Sequence, residues 1–208
     1  MDCMELMRQY PDKHFDLAVV DPPYGIGENG ARGNVATKKW KNPKQSIHIK
    51  KEWDKNRPDS IYFEELFRVS KNQIIWGANY YPEFLPASMG WIFWDKKTGD
   101  SDYSDGELAF TSFEKALKKF EYLWSGFKKQ KPETRIHPTQ KPVALYDWIF
   151  KNYAKPGQLI LDTHLGSGSS RIAADKAGLN FIGCELDADY FAAHEKRWNE
   201  YKAQLKLL

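Results

Sequence analysis

The chain has only two cysteines, Cys3 and Cys184, too few for a disulfide framework or a cysteine-rich zinc site. No apolar run approaches the ~20 residues that span a bilayer. The opening residues, Met1-Asp2-Cys3-Met4-Glu5, lack a basic stretch followed by an apolar one, so no secretory signal is expected. Internal repeats and long low-complexity tracts are also missing. These absences predict a cytoplasmic protein with no bound metal and no membrane partner. What is present is a core: of 208 residues, 41% are hydrophobic, and 8 Trp, 11 Tyr and 12 Phe are too many core-formers for a disordered chain. The length suits one large domain over residues 1–208 and leaves no room for two catalytic ones.

Net charge is small, +3, but unevenly spread. Residues 31–57 hold nine Lys or Arg against two acids, and residues 115–135 hold seven against two. The rest of the chain is acidic. Two basic segments on an acidic chain fit a polyanion-facing surface, and equally fit lysine-rich loops that keep a protein in solution.

Short apolar runs alternate with longer periodic stretches. Strands are expected at 15–20, 73–76, 91–94, 107–111, 158–162 and 180–185, with a weaker candidate at 122–125. Helices are expected at 3–9, 61–69, 143–153, 169–177 and 188–205. The mixture is α/β, and the last third reads as a βαβ unit. Residues 25–59 have no clear period and exceed an ordinary connection, so they predict a basic, mobile loop; 113–136 form a shorter basic segment.

Two motifs carry chemistry. In the first, the apolar strand ending at Asp162 runs into Thr163-His164-Leu165-Gly166-Ser167-Gly168, and a helix begins. Gly166 and Gly168 permit a tight turn and close approach of a ligand to the backbone. The next strand ends at Glu185, an acid suited to gripping ribose hydroxyls. Together these suit an adenosine-containing cofactor. The third glycine of the dinucleotide fingerprint is replaced by Arg171, and no Lys-Ser/Thr follows, which disfavours a nicotinamide cofactor or an ATPase phosphate loop.

In the second motif, the strand 15–20 runs directly into Asp21-Pro22-Pro23-Tyr24-Gly25-Ile26. Two prolines stop the sheet and fix the backbone. They leave the carbonyls around them free to accept hydrogen bonds, beside the Asp21 carboxylate and the flat ring of Tyr24. Convergent acceptors next to an aromatic platform suit an exocyclic amino group on a planar base.

This segment resembles the catalytic motif of amino-group DNA methyltransferases, in the Asp form of adenine-N6 enzymes rather than the Ser form usual for cytosine-N4 enzymes. The stretches Ile74-Ile75-Trp76-Gly77-Ala78-Asn79-Tyr80-Tyr81, Trp94-Asp95-Lys96, Glu107-Leu108-Ala109-Phe110-Thr111-Ser112 and His137-Pro138-Thr139-Gln140-Lys141-Pro142 are similar to blocks of the phage-like branch of that N-4/N-6 family. The likeness runs from about residue 2 to about residue 198. The catalytic motif precedes the glycine loop, which resembles the permuted, beta-type order of DNA enzymes rather than that of similar RNA or protein methyltransferases. The chain departs from the family where Thr163-His164 stand in place of Pro-Phe, and where Asp2-Cys3 is all that remains of a Gly-Asp-Cys element.

The resemblance implies a circularly permuted, Rossmann-like fold that depends on S-adenosylmethionine, with a mostly parallel sheet and helices on both faces. It implies methyl transfer from that cofactor to the N6 amino group of adenine in double-stranded DNA, the target base being flipped out. Asp21, Pro22, Pro23 and Tyr24 would be catalytic. Asp162, Gly166, Ser167, Gly168, Glu185, Thr139, Lys141 and Asp2 would hold the cofactor. The basic segments would face phosphates, with Trp40, Trp53 and Trp124 as candidates to stack on DNA. Cytosine-N4 chemistry and a non-catalytic DNA-binding relative stay open, as do a homodimer and a restriction partner.

Overall fold

Strand β1 (Phe15–Val20) is an inner strand of a seven-stranded sheet, as its two apolar faces require. Leu17 and Val19 point to one side, Ala18 and Val20 to the other, and all four are buried, the pattern of a strand covered on both faces. A computed structural model describes residues 1–27, 54–99, 104–125, 128–131 and 133–205. The predicted loop 25–59, with Trp40 and Trp53, therefore lies largely outside the described residues.

The chain enters through α1 (Cys3–Met7), which Asp2 caps by accepting from the N–H groups of Met4 and Glu5. After β1 come α2 (Ser60–Val69) and β2 (Ser70–Trp76), then β3 (Trp91–Asp95), β4 (Gly106–Thr111) and β5 (Lys118–Glu121). A two-stranded ribbon, β6 (Trp124–Ser125) and β7 (Lys128–Lys129), leads to α3 (Val143–Tyr153). The final unit is β8 (Leu159–Asp162), α4 (Ser169–Lys176), β9 (Asn180–Gly183) and α5 (Ala188–Leu205).

The sheet order is β5-β3-β4-β2-β1-β8-β9. Only β4 runs against the others, so four of the six neighbouring pairs are parallel. Helices α3 and α4 cover the face of Leu17 and Val19; α1 and α2 cover the face of Ala18 and Val20. On α2, Tyr62, Phe63, Leu66 and Val69 follow helical spacing and are buried, each contributing roughly 1.5–3 kcal/mol. This is the expected α/β class, permuted: β1 pairs with β8 (Leu17 opposite Ile160) across about two thirds of the chain.

One expected strand is misplaced. The weak candidate 122–125 holds only the ribbon strand β6, and the sheet strand β5 lies just before it. The sheet edge is Lys118-Lys119-Phe120-Glu121, where only Phe120 is buried. An edge strand faces water along most of its length, so it carries charge and loses the apolar signal that marks inner strands. Among the described residues, no helix is long and apolar enough to cross a membrane.

Candidate functional site

In an open α/β sheet the ligand crevice lies beyond the carboxyl ends of the strands. Here that edge gathers Asp21 after β1, Gly77 after β2, Lys96 after β3, Asp162 ending β8 and Glu185 after β9. Because β4 is reversed, its first residues, Gly106 and Glu107, arrive at the same edge.

A cleft of about 250 Å³ opens there, lined by Asp21 and Pro23 on one side and Gly166, Ser167 and Glu185 on the other. Asp2, Thr139 and Lys141 also line it, so the two motifs share one cavity. Pro22, Tyr24, Asp162 and Gly168 do not line it; Tyr24 and Asp162 reach it through bonds to Asp21 and to His164.

The Asp21 corner is built from charged side chains. Asp21 Oδ1 accepts from the Tyr24 hydroxyl (2.7 Å), and Oδ2 accepts from Lys141 Nζ (2.6 Å). Lys141 Nζ also donates to Glu107 Oε2 (2.9 Å) and to the Tyr24 hydroxyl oxygen (3.2 Å), and Glu107 Oε1 in turn binds Lys96. Burial pushes Asp21 above the usual carboxylate range, with Glu107 adding to the rise and Lys141 opposing it. Burial also disfavours the Glu107 charge, yet Lys141 and Lys96 override it and hold this carboxyl at about 2.

Two expectations about this corner are corrected. The proline carbonyls are not free: the Tyr81 hydroxyl donates to Pro23 O (2.5 Å) and Pro22 O (3.0 Å), leaving each carbonyl a second lone pair. Nor is Tyr24 an open platform. Its ring already stacks on Tyr80, centroids 4.8 Å apart and planes at 15°. The left-handed Gly77 (φ +67°) makes room for it, since a Cβ there would fall 2.1 Å from Tyr24 Cε1.

The glycine-loop corner is built from backbone groups and hydroxyls. Glu185 Oε2 accepts from Gly166 N–H (2.8 Å) and Oε1 from Asp187 N–H (2.9 Å), so its carboxylate latches the loop. Asp162 accepts from His164 N–H and the Ser170 hydroxyl, and burial raises it to about 7. Gly168 (φ +70°) lies where a Cβ would meet the His194 ring at 2.0 Å. Where the family has Pro-Phe, the Thr163 hydroxyl joins Tyr62 (2.7 Å) to His164 Nδ1 (2.9 Å). Burial lowers His164 to about 4, so it faces the cleft uncharged at neutral pH.

Side chains that sequence reading gave no role now have one. Glu107 and Lys96 complete the charge row, and Tyr81 and Gly77 hold the proline turn and Tyr24. Arg197 on α5 donates to Ser167 O and to Glu133, while Glu133 accepts from Val143 N–H at the start of α3. Gly77, Tyr80, Tyr81, Lys96 and Glu107 all sit in the quoted family-like blocks; that was the available signal. The basic segment 113–136 uses several cations internally: Lys115 bonds Asn152 O, Lys129 bonds Glu133 O, and Lys119 pairs with Asp95 and Glu121. Trp124 is buried, its Nε1 donating to Gln140 O, and is thereby removed as a wedge for DNA.

The cleft fits an adenosine-bearing cation. Glu185 offers two oxygens with acceptor capacity left and Gly166 leaves the backbone bare, while behind the wall the buried Asp162 carboxyl has no cation beside it among the described residues.

The family profile N6_N4_Mtase, described as DNA methylase, matches residues 71–196. Type II methyltransferase M2.MboI of Moraxella bovis is 26% identical, the alignment covering 99% of this chain and 88% of that one. Among solved structures, M1.HpyAVI in complex with SAM superposes with a TM-score of 0.56 at 19% identity, covering 94% of this chain and 96% of that one. The cytosine-N4-specific PvuII DNA methyltransferase gives 0.57 at 13% identity, covering 95% and 84%. At these identities the structural likeness is one of fold.

Proposed function

This chain belongs to the N6_N4_Mtase family of DNA methylases, and we propose that it transfers a methyl group from S-adenosylmethionine to the N6 amino group of an adenine extruded from DNA. The observation that carries this reading is the shared cleft, with the Asp21 carboxylate on one wall and the Gly166–Glu185 latch on the other. The carboxylate at position 21 supports adenine over cytosine.

When bound, the cofactor supplies an electrophilic methyl group on a positively charged sulfur. Glu185 would take the ribose hydroxyls, the turn from Gly166 to Gly168 would admit the methionine part, and Asp162, behind His164, would lie near its positive charge. Thr139 and Asp2 line the remaining wall. The amino nitrogen of adenine is a poor nucleophile because its lone pair is delocalised into the ring. Asp21 accepts one of its hydrogens and the Pro22 carbonyl, through its second lone pair, accepts the other. This pulls the nitrogen towards tetrahedral geometry and frees its lone pair to attack. The new N–C bond would form as the S–CH3 bond breaks, its electron pair staying on sulfur as a neutral thioether; the positive charge passes to nitrogen, and Asp21 is placed to take the proton it sheds. No covalent bond to the protein is required; orientation and electrostatics carry the rate.

The base would leave the duplex to reach Asp21, whose carboxylate the stacked Tyr24 holds in place. The basic segments 25–59 and 113–136 are proposed to meet phosphates, through cations such as the exposed Lys118 and Lys131. The test is mass spectrometry of nucleosides digested from DNA of cells expressing the protein. N6-methyladenine is expected. N4-methylcytosine would overturn the base assignment, and neither product would favour a DNA-binding relative without turnover.

A further inference from the structure

Lys141 is expected at the cofactor from the motif it sits in, yet its geometry serves a different partner. An ammonium has three N–H donors. Lys141 Nζ has three acceptors within bonding distance: Asp21 Oδ2 at 2.6 Å, Glu107 Oε2 at 2.9 Å and the Tyr24 hydroxyl oxygen at 3.2 Å. No donor is left over for a cofactor. The side chain is 4% exposed and the ammonium lies over the rings of Tyr24 and Trp76, 5.7 and 5.4 Å from their centroids. The bonding is self-consistent. Tyr24 spends its one proton on Asp21 Oδ1 and accepts from Lys141, so two donors fix the plane of the Asp21 carboxylate.

Charges alternate along the row: Asp21 negative, Lys141 positive, Glu107 negative, Lys96 positive. An isolated buried lysine is costly, and one flanked by two carboxylates is stabilised in its charged form. Three strand ends and the start of α3 contribute, which explains why β4 must run backwards: reversal brings Glu107 to the carboxyl edge of the sheet.

We propose that Lys141 is a positioning residue that aims the Asp21 carboxylate at the target amino group, and that Glu107, anchored by Lys96, holds Lys141 in place. The inference rests on the reading of Asp21 as acceptor for that amino group. Groups acting on Asp21 are Lys141 before α3, Glu107 on β4, Tyr24 beside it, Asp162 on β8, Tyr81 after β2 and Tyr146 on α3. Lys141 favours the Asp21 charge and Glu107 opposes it, which gives two variants with opposite signs.

The experiment is the pH dependence of single-turnover methyl transfer, with enzyme in excess over the sites in sheared genomic DNA from methylation-free cells and cofactor saturating. Lys141→Met should move the acid limb up by about 1–3 pH units, the range an opposite charge at this distance commands. Glu107→Gln should move it down. Calorimetry should find cofactor affinity within about threefold of wild type in both, since the three donors of Lys141 are taken by Asp21, Glu107 and Tyr24. A purely structural role would lower the rate at every pH without moving the limb. If Lys141→Met does not fold, the downward shift in Glu107→Gln still decides. Unmoved limbs in both variants, or a folded Lys141→Met that has lost cofactor binding, would overturn the inference while leaving Asp21 catalytic. An Asp21→Ala protein with full activity would instead remove the reading beneath it.

Discussion

The cleft has two acidic corners, and they are stabilised in opposite ways. At Asp21 the chain provides its own cation, Lys141, within a row that sums to zero charge. At Asp162 it provides only a backbone N–H and a serine hydroxyl, and the carboxyl rises to about 7. Burial raises both carboxyls; at Asp21 the resident cation opposes that rise, and at Asp162 no cation among the described residues does. A residue that faces a positively charged cofactor does better without a resident cation to compete.

The sharpest way to break the comparison is steric. Gly77→Ala puts a methyl group into Tyr24 and strains a left-handed backbone; it should cost about 2–4 kcal/mol of stability and slow transfer about 100-fold, with cofactor affinity kept. Thermal unfolding and single-turnover assays check both halves. Gly168→Ala should do the converse, because its methyl group would meet His194 at the cofactor corner. A similar loss of stability is expected, but cofactor binding should weaken about tenfold or more while Tyr24 stays in place. Glu185→Ala removes the latch on Gly166 and the ribose acceptor together. Calorimetry should show binding about 10-fold weaker.

The smallest effect is the most specific. A cation near Asp162 lowers its pKa, so at pH 7 cofactor binding should release a fraction of a proton, and affinity should rise a few-fold between about pH 6 and 8. Calorimetry in two buffers of different ionisation enthalpy measures that release. Stability of the ligand-free protein carries the same sign in reverse. With the folded pKa of Asp162 raised, its contribution is full below about pH 4 and is lost as pH rises through 7. Asp162→Asn should flatten that slope.

Much of this was legible in the sequence. Inner strands such as 15–20 and 158–162 announce themselves as apolar runs, and the glycine turn and the Asp-Pro-Pro-Tyr segment are local patterns. The edge strand Lys118–Glu121 was hidden because solvent-facing strands need no apolar face. The charge row was hidden for another reason. Asp21, Lys96, Glu107 and Lys141 lie far apart in the chain, and only the reversal of β4 brings Glu107 to the others. The motif around Lys141 is visible in the sequence, and its partners Asp21, Glu107 and Tyr24 are not. Likewise Tyr24 read as an open face because nothing in the sequence shows that Tyr80 lies on it.

Asp21 is proposed to act on the amino group and not on the cofactor. The direct test is Asp21→Ala, measured for methyl transfer to DNA and for S-adenosylmethionine binding on the same preparation. Transfer reduced by roughly 10³-fold or more, with binding within a few-fold of wild type, is the predicted result. Transfer at the wild-type rate, or a loss explained wholly by lost cofactor binding, would contradict it.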